Sequence, residues 1–222
     1  MMFDTGWLKK DIYKLAFTHR SYLNESSDVK QSNERLEFLG DSVLSLIISS
    51  LLYQIRTKDS EGDLTNLRSY IVKTPSLAKA AQKLNLGKYL RLSKGEELSG
   101  GRENPQLLAN TYEALLGAIY LDQGLDAVKK FIEKTLLSLF TLELESGPPK
   151  DAKSQLQELT QELTRQSPQY KILSTSGPDH AKEFMVGVFV QGKQIGVGRG
   201  LSKQIAEEEA AQQALRNFPS DG

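Results

Sequence analysis

Apolar positions in the first two thirds of the chain recur at helical spacing over 7–17, 36–55, 64–72, 77–86, 107–121 and 128–144. Between them lie Gly, Pro, Asn, Asp or Ser at 24–28, 59–63, 74–75, 95–105 and 123–124, the residues that end helices and form turns. No alternating β-branched run precedes residue 170, so residues 1–146 are predicted to form an all-α domain. Gly147-Pro148-Pro149-Lys150 interrupts the pattern and reads as a linker, 147–150. The period then changes. Residues 153–165 are helical, with Leu156, Leu159 and Leu163 on one side, and 170–174 make a short strand. Phe184, Val186, Val188 and Val190 alternate with Glu183, Met185, Gly187 and Phe189 as a second strand. Gln191-Gly192-Lys193 turns the chain into a third strand at 194–199, and Ser202 caps an alanine-rich helix over 205–218. Residues 151–222 are thus predicted to be a small α+β domain, α-β-β-β-α, with a three-stranded antiparallel sheet and both helices on one face. Ala206, Ala210 and Ala214 recur every four residues and allow the last helix to lie close to that sheet.

Charge changes this picture little. Lys+Arg and Asp+Glu are 28 each among 222 residues; 1–150 carry 20 basic and 19 acidic residues, and 151–222 carry 8 and 9. No global positive charge points to a polyanion partner, so any nucleic-acid site must come from local placement. The absence of cysteine excludes disulfides, thiolate zinc sites and cysteine nucleophiles, and His19 and His180 alone exclude a multi-histidine metal site within one chain. Residues 1–10 lack an apolar signal core and no uncharged apolar run reaches 18 residues, so a soluble, cytoplasmic protein without a membrane partner is expected.

Two helices carry the candidate chemistry. Glu37 and Asp41 are i,i+4, about 40° apart on one helical face, in line with Leu44 and Ile48. Asn110 and Glu113 are i,i+3 among Leu107, Leu108, Leu115, Leu116, Ile119 and Leu121, and Gly117 removes a side chain one turn further on. Carboxylates on apolar faces call for a cation or a donor. Converging in a bundle, they would offer the hard oxygen ligands that Mg²⁺ prefers, and such sites hydrolyse phosphodiesters. Spacing alone leaves a solvated helix edge equally open.

The residues themselves say more. Asn33-Glu34-Arg35-Leu36-Glu37-Phe38-Leu39-Gly40-Asp41-Ser42-Val43-Leu44 resembles the ribonuclease III signature. The resemblance continues through Phe17-Thr18-His19-Arg20-Ser21-Tyr22, Glu61-Gly62-Asp63-Leu64-Thr65, and the run Leu108-Ala109-Asn110-Thr111-Tyr112-Glu113-Ala114-Leu115-Leu116-Gly117-Ala118-Ile119-Tyr120. It covers nearly the whole chain, in the bacterial layout of one nuclease domain followed by one RNA-binding domain. It implies a Mg²⁺-dependent endonuclease for double-stranded RNA, with Mn²⁺ able to substitute and no organic cofactor. The enzyme would be a homodimer that leaves 5′-phosphates and two-nucleotide 3′ overhangs and processes ribosomal precursors and other structured RNAs. Asp41 and Glu113 would be the catalytic pair; Glu37, Asp41, Asn110 and Glu113 the metal ligands; Glu61 an acidic position near the cleavage centre; and Phe38 part of the dimer interface. Asn110 stands where bacterial members commonly carry Asp, and an amide lacks the charge of a carboxylate.

In 151–222 the residues alone say less. Ser202-Lys203 opens a helix whose free N–H groups suit a phosphate, Lys182 and Arg199 add cations, and Gln155, Gln157 and Glu158 are polar groups on the first helix. Taken singly, each is better read as a solvated surface residue. Together, Gly177-Pro178-Asp179-His180-Ala181-Lys182-Glu183-Phe184 and Gly196-Val197-Gly198-Arg199-Gly200-Leu201-Ser202-Lys203 resemble a double-stranded-RNA-binding domain, a reader of A-form shape. The resemblance implies minor-groove contacts from Gln157, Glu158 and His180, and phosphate contacts from Ser202 and Lys203. Gln204 replaces a usual second lysine, and Glu207–Glu209 add three like charges, so weak binding by this domain alone is expected. A non-cleaving RNA-binding or ribosome-associated protein of the same fold is the rival reading.

Overall fold

The computed structural model describes residues 5–148, 151–178 and 181–217, which form two compact units dividing after Pro148. The first unit is helical. A 3₁₀ turn at Thr5–Lys9 precedes α1 (Asp11–Ala16), and another at Arg20–Asn24 precedes α2 (Glu34–Ile55). Then come α3 (Glu61–Val72), α4 (Thr74–Lys83), α5 (Lys94–Leu98), α6 (Pro105–Gln123), α7 (Leu125–Thr135) and α8 (Thr141–Ser146). Among the described residues of this unit the only β-type pairing is an isolated bridge between Thr18 and Arg91.

Local chemistry accounts for the helix starts that matter to the site. Ser60 and Asp63 form a reciprocal capping box that opens α3 at Glu61. Asn104 Oδ1 accepts from the N–H groups of Gln106 and Leu107, and Pro105 takes the first helical position of α6. The two central helices, α2 and α6, then meet backbone to backbone. A Cβ on Gly40 would fall 1.8 Å from the carbonyl oxygen of Glu113, and one on Gly117 would fall 2.3 Å from that of Leu36. Only glycine permits this approach, and Leu44, Ile48, Leu115, Leu116 and Tyr112 fill the space beyond it, all fully buried.

Several predicted helices are shorter than their apolar runs. The 77–86 run ends at Lys83, where Asn85 takes a left-handed conformation (φ 53°). The 128–144 run splits at a 3₁₀ turn, Leu137–Leu139, with Leu136 and Leu137 buried on either side of the bend. Among the described residues, Glu34–Ile55 is the one helix long and apolar enough to cross a membrane by length and composition. Its apolar character serves the core at Leu44, Ile48 and Leu52, while Phe38, Leu46 and Tyr53 stay exposed on another face.

The second unit comprises α9 (Ala152–Thr164), β1 (Gln169–Ser176), β2 (Glu183–Val190), β3 (Lys193–Gly200) and α10 (Lys203–Asn217), with the strands antiparallel in the order β1-β2-β3. Gln191 and Gly192 both have positive φ (51° and 76°), the conformation that closes a tight hairpin. Ala206, Ala210 and Ala214 are fully buried against glycines of β3: a Cβ on Gly198 would lie 2.2 Å from Ala210 N, and one on Gly196 2.4 Å from Ala210 O. The buried stripe of α9 is Ala152, Leu156 and Thr160. Leu163, expected to share it, is 60% exposed near the end of the helix, one turn past the last buried position. Of the predicted linker, Pro149 and Lys150 lie outside the described residues, as do His180 and Phe218.

Candidate functional site

Contact between Gly40 and the Glu113 backbone determines what the two helices display at their crossing. Glu37 and Asp41 flank Gly40 on α2, and Asn110 and Glu113 stand on the facing turn of α6. Glu37 and Glu113 are partly buried and Asp41 is exposed, so the acidic stripe runs from the core, at Leu44 and Ile48, out to the surface. Of the pair expected along an otherwise apolar side of α2, Asp41 is exposed although Gly40, Val43 and Leu44 beside it are buried.

Electrostatics mark this corner as short of positive charge. Burial, then Asp41, then Glu37 push the Glu113 carboxyl from the ordinary 4.5 up to about 8. Burial, then Glu34 and Asp41, raise Glu37 as well, partly offset by a hydrogen bond from Asn110. Among the described residues no Lys or Arg acts on either carboxyl to lower it, although basic groups form ion pairs elsewhere in the unit, at Lys10–Asp122 and Arg56–Asp59. The three carboxylates do not form a ready-made cage: among the described residues no group of three His, Asp or Glu is drawn close enough to hold an ion as it stands. The donor set nevertheless fits a hard divalent cation, since three oxygen-bearing anions crowd together without a counter-charge.

Asn110, expected as a fourth oxygen ligand, has a partner for its carbonyl within α6. Its Oδ1 accepts a 2.7 Å hydrogen bond from Gln106 Nε2, one turn back on α6, and its side chain partly offsets the rise in the Glu37 pKa. The Asn110 carbonyl thus faces Gln106. Gln106, which no spacing argument singled out, also lines an open cleft of about 500 Å³ with His19, Arg20, Ser21 and Asn104. Glu61 sits in the first turn of α3, exposed, where it accepts from Thr65 Oγ1 at 3.0 Å. It is not among the charges acting on Glu37 or Glu113, so the chain by itself does not bring it to that corner. Phe38 is 77% exposed on α2.

Arg56 is a second residue the sequence did not announce. Its Nε pairs with Asp59 at 2.7 Å and its Nη1 bonds the carbonyls of Leu144 and Glu145, which fastens the end of α8 to the loop leading into Glu61. Repeated Lys/Arg and carbonyl spacing gives no hint of such a contact.

On the second unit, Gln157 and Glu158 lie exposed on α9, and Lys182 is exposed before β2. Ser202 Oγ accepts from Ile205 N and caps α10, whose first residue, Lys203, is exposed. The three glutamates of α10 are engaged internally. Glu207 pairs with Lys153 at 2.5 Å, Glu208 accepts from Ala152 N at 2.7 Å, and Glu209 accepts from Arg199 N at 2.5 Å.

Comparison with known proteins agrees with both halves. Residues 9–139 match the family described as Ribonuclease-III-like, and residues 152–218 match the Double-stranded RNA binding motif. Ribonuclease 3 of Geobacillus kaustophilus is 50% identical over 207 residues, 91% of this chain and 82% of that protein. Ribonuclease 3 of Pelotomaculum thermopropionicum is 46% identical over 211 residues, 95% of this chain and 88% of that protein. The nuclease domain of ribonuclease III from Campylobacter jejuni, a structure concerned with flexibility in a dimer-forming region, aligns at a TM-score of 0.55 and 39% identity, covering 59% of this chain and 88% of that one. The chain belongs to the ribonuclease III family and is an endoribonuclease of double-stranded RNA.

Proposed function

We propose that Glu37, Asp41 and Glu113 hold Mg²⁺ at the α2–α6 crossing, and that this centre cleaves the RNA backbone by hydrolysis, leaving 5′-phosphates. Mn²⁺ has the same oxygen preference and can replace Mg²⁺. When bound, the metal activates water and stabilises the leaving oxygen. The protein's own contribution is positional. Gly40 and Gly117 lock the two helices, so that Glu113 stands at a fixed depth behind Asp41, which faces solvent and therefore the RNA. The Glu113 carboxyl, raised to about 8, gives up its proton as the cation arrives. The observation that carries this reading is the crowding of Glu113 by Asp41 and Glu37 with no compensating Lys or Arg among the described residues.

The exposed stripe of α2, Phe38, Leu46 and Tyr53 at 56–77% exposure, supports a homodimer in which these apolar side chains are covered. Two centres acting on opposite strands account for two-nucleotide 3′ overhangs and for a role in maturing ribosomal precursor and other structured RNAs in the cytoplasm. The second unit supplies duplex capture through Gln157, Glu158, His180, Lys182, Ser202 and Lys203, with Lys203 and the α10 N-terminus at phosphates.

Incubation with a long perfect RNA duplex, with Mg²⁺ and separately with EDTA, tests the proposal. Short duplexes with 3′ overhangs in Mg²⁺ and intact RNA in EDTA are expected. Equal cleavage in EDTA overturns the metal reading.

A further inference from the structure

Positive charge in the first unit is segregated along the chain. Residues 64–95 hold seven Lys or Arg and no Asp or Glu, whereas the rest of 1–148 holds 12 basic and 19 acidic residues. Glu37, Asp41 and Glu113 belong to that acidic remainder, and the second unit carries 8 basic and 9 acidic residues over 151–222. An approaching RNA backbone thus meets net negative charge outside this one segment, and electrostatic attraction has to come from within it.

Three of the seven cations are engaged by the fold. Arg68 donates to Ser49 Oγ at 3.0 Å, and Lys73 and Arg91 lie over the rings of Tyr70 and Tyr22. Lys79, Lys83 and Lys88 are exposed, and among the described residues none of them forms an ion pair. Lys79 and Lys83 stand one turn apart on α4. Gln82, between them, lines an open cleft of about 580 Å³ with Asn85, Gly87 and Lys88 from the turn that follows. Glu103 is the one carboxylate on that cleft, and its Arg102 is already held by Glu97 and the carbonyls of Gly87, Lys88 and Leu90. α4 packs on α6 and has no comparable contact with α2, so this surface stays open when the α2 stripe is covered.

A lysine run on a helix is ordinarily a solvated face with both signs mixed. α7 is such a case: Asp126 precedes Lys130, and Glu133 follows Lys129, each by four residues. No acidic residue plays that part from α4 to Lys88. We propose that Lys79, Lys83 and Lys88 form a phosphate-binding surface of the nuclease unit, which holds the RNA duplex away from the scissile linkage and offsets repulsion by the acidic corner. The proposal rests on the duplex substrate of the family and is independent of the metal reading.

The test measures binding of a long perfect RNA duplex to the full chain in EDTA, over a salt series. The parent is compared with Lys79→Gln/Lys83→Gln/Lys88→Gln, and with Lys129→Gln/Lys130→Gln/Lys134→Gln, which removes the same charge from α7. Glutamine keeps the helix propensity of lysine, so both variants should fold. The α4 variant should bind roughly tenfold more weakly, and its slope of log affinity against log salt should be shallower by roughly 2 to 3. The α7 variant should stay within about twofold of the parent. Unchanged affinity and slope in the α4 variant overturn the proposal, and so does an equal loss in the α7 variant, which would reduce the effect to net charge. Unchanged duplex binding with lost binding to vesicles of anionic lipid would assign the surface to a membrane and overturn it as well. Because no metal is present, the outcome stands whether or not cleavage proves to need Mg²⁺.

Discussion

Glu207, Glu208 and Glu209 form a run of three carboxylates on α10, and Glu37, Asp41 and Glu113 converge as another three from α2 and α6. Both groups sit where glycines let a helix come close to its neighbour: Gly196 and Gly198 under α10, Gly40 and Gly117 between α2 and α6. Their electrostatic outcomes are opposite. Each glutamate of α10 has a donor, in Lys153, Ala152 N or Arg199 N. The nuclease trio has mainly itself, with one amide on Glu37, and Glu113 is left near neutrality at its pKa of about 8. An acidic cluster therefore signals a cation only when the fold withholds donors from it. The same contrast sets the internal contacts of the α10 glutamates against the expectation that they weaken RNA binding.

The largest expected effect comes from removing a member of the unpartnered trio. Glu113→Gln should lower duplex cleavage by roughly 10³-fold, a loss of several kcal/mol of transition-state stabilisation, while raising the thermal midpoint of metal-free protein above pH 8, where the native carboxylate is ionised and crowded. Cleavage assays and thermal unfolding read the two effects, and a fall in both would point to a purely structural glutamate. Next comes the crossing itself. Gly40→Ala places a methyl group 1.8 Å from a backbone carbonyl, so the helices must part, at a cost of about 3 kcal/mol measurable by denaturant unfolding; a neutral result would mean that the two helices are not locked there.

A pH series sharpens the contrast. The folded pKa of Glu113 lies above its unfolded value of 4.5, so its contribution to metal-free stability is complete below 4.5 and is lost as pH rises through about 8. Cation binding needs the deprotonated form. Mn²⁺ affinity should therefore climb with pH, by up to roughly tenfold per unit below about 8, and level off above it. A flat profile across about pH 6–9 would contradict the crowding. The smallest effect belongs to the satisfied cluster: Glu208→Ala removes the acceptor at Ala152 N and should cost the second unit about 1 kcal/mol without raising duplex affinity. A severalfold gain in affinity would show that the α10 glutamates do repel RNA.

Helical periodicity made α2 and α6 legible because each buries a continuous stripe, and Gly117 could be read as a point of close approach for the same reason. Periodicity said nothing of where the 128–144 run bends, since Leu136 and Leu137 are apolar on both sides of the break. It also placed Leu163 with Leu156, because a wheel does not know where a helix outlasts its sheet. The acidic residues were visible as spacing, and the motif resemblance assigned them roles. The orientation of Asn110 was not visible, for it depends on which end of an amide meets Gln106. Arg56 was equally silent: beyond its neighbour Asp59, its partners are two carbonyls far along the chain.

Crystals of the protein soaked in Mn²⁺ and measured at its absorption edge test the central claim most directly. An anomalous peak between the carboxylates of Asp41 and Glu113, lost in Glu113→Gln, is the predicted result. An enzyme that cleaves duplex RNA while its crystals carry manganese only elsewhere would contradict it.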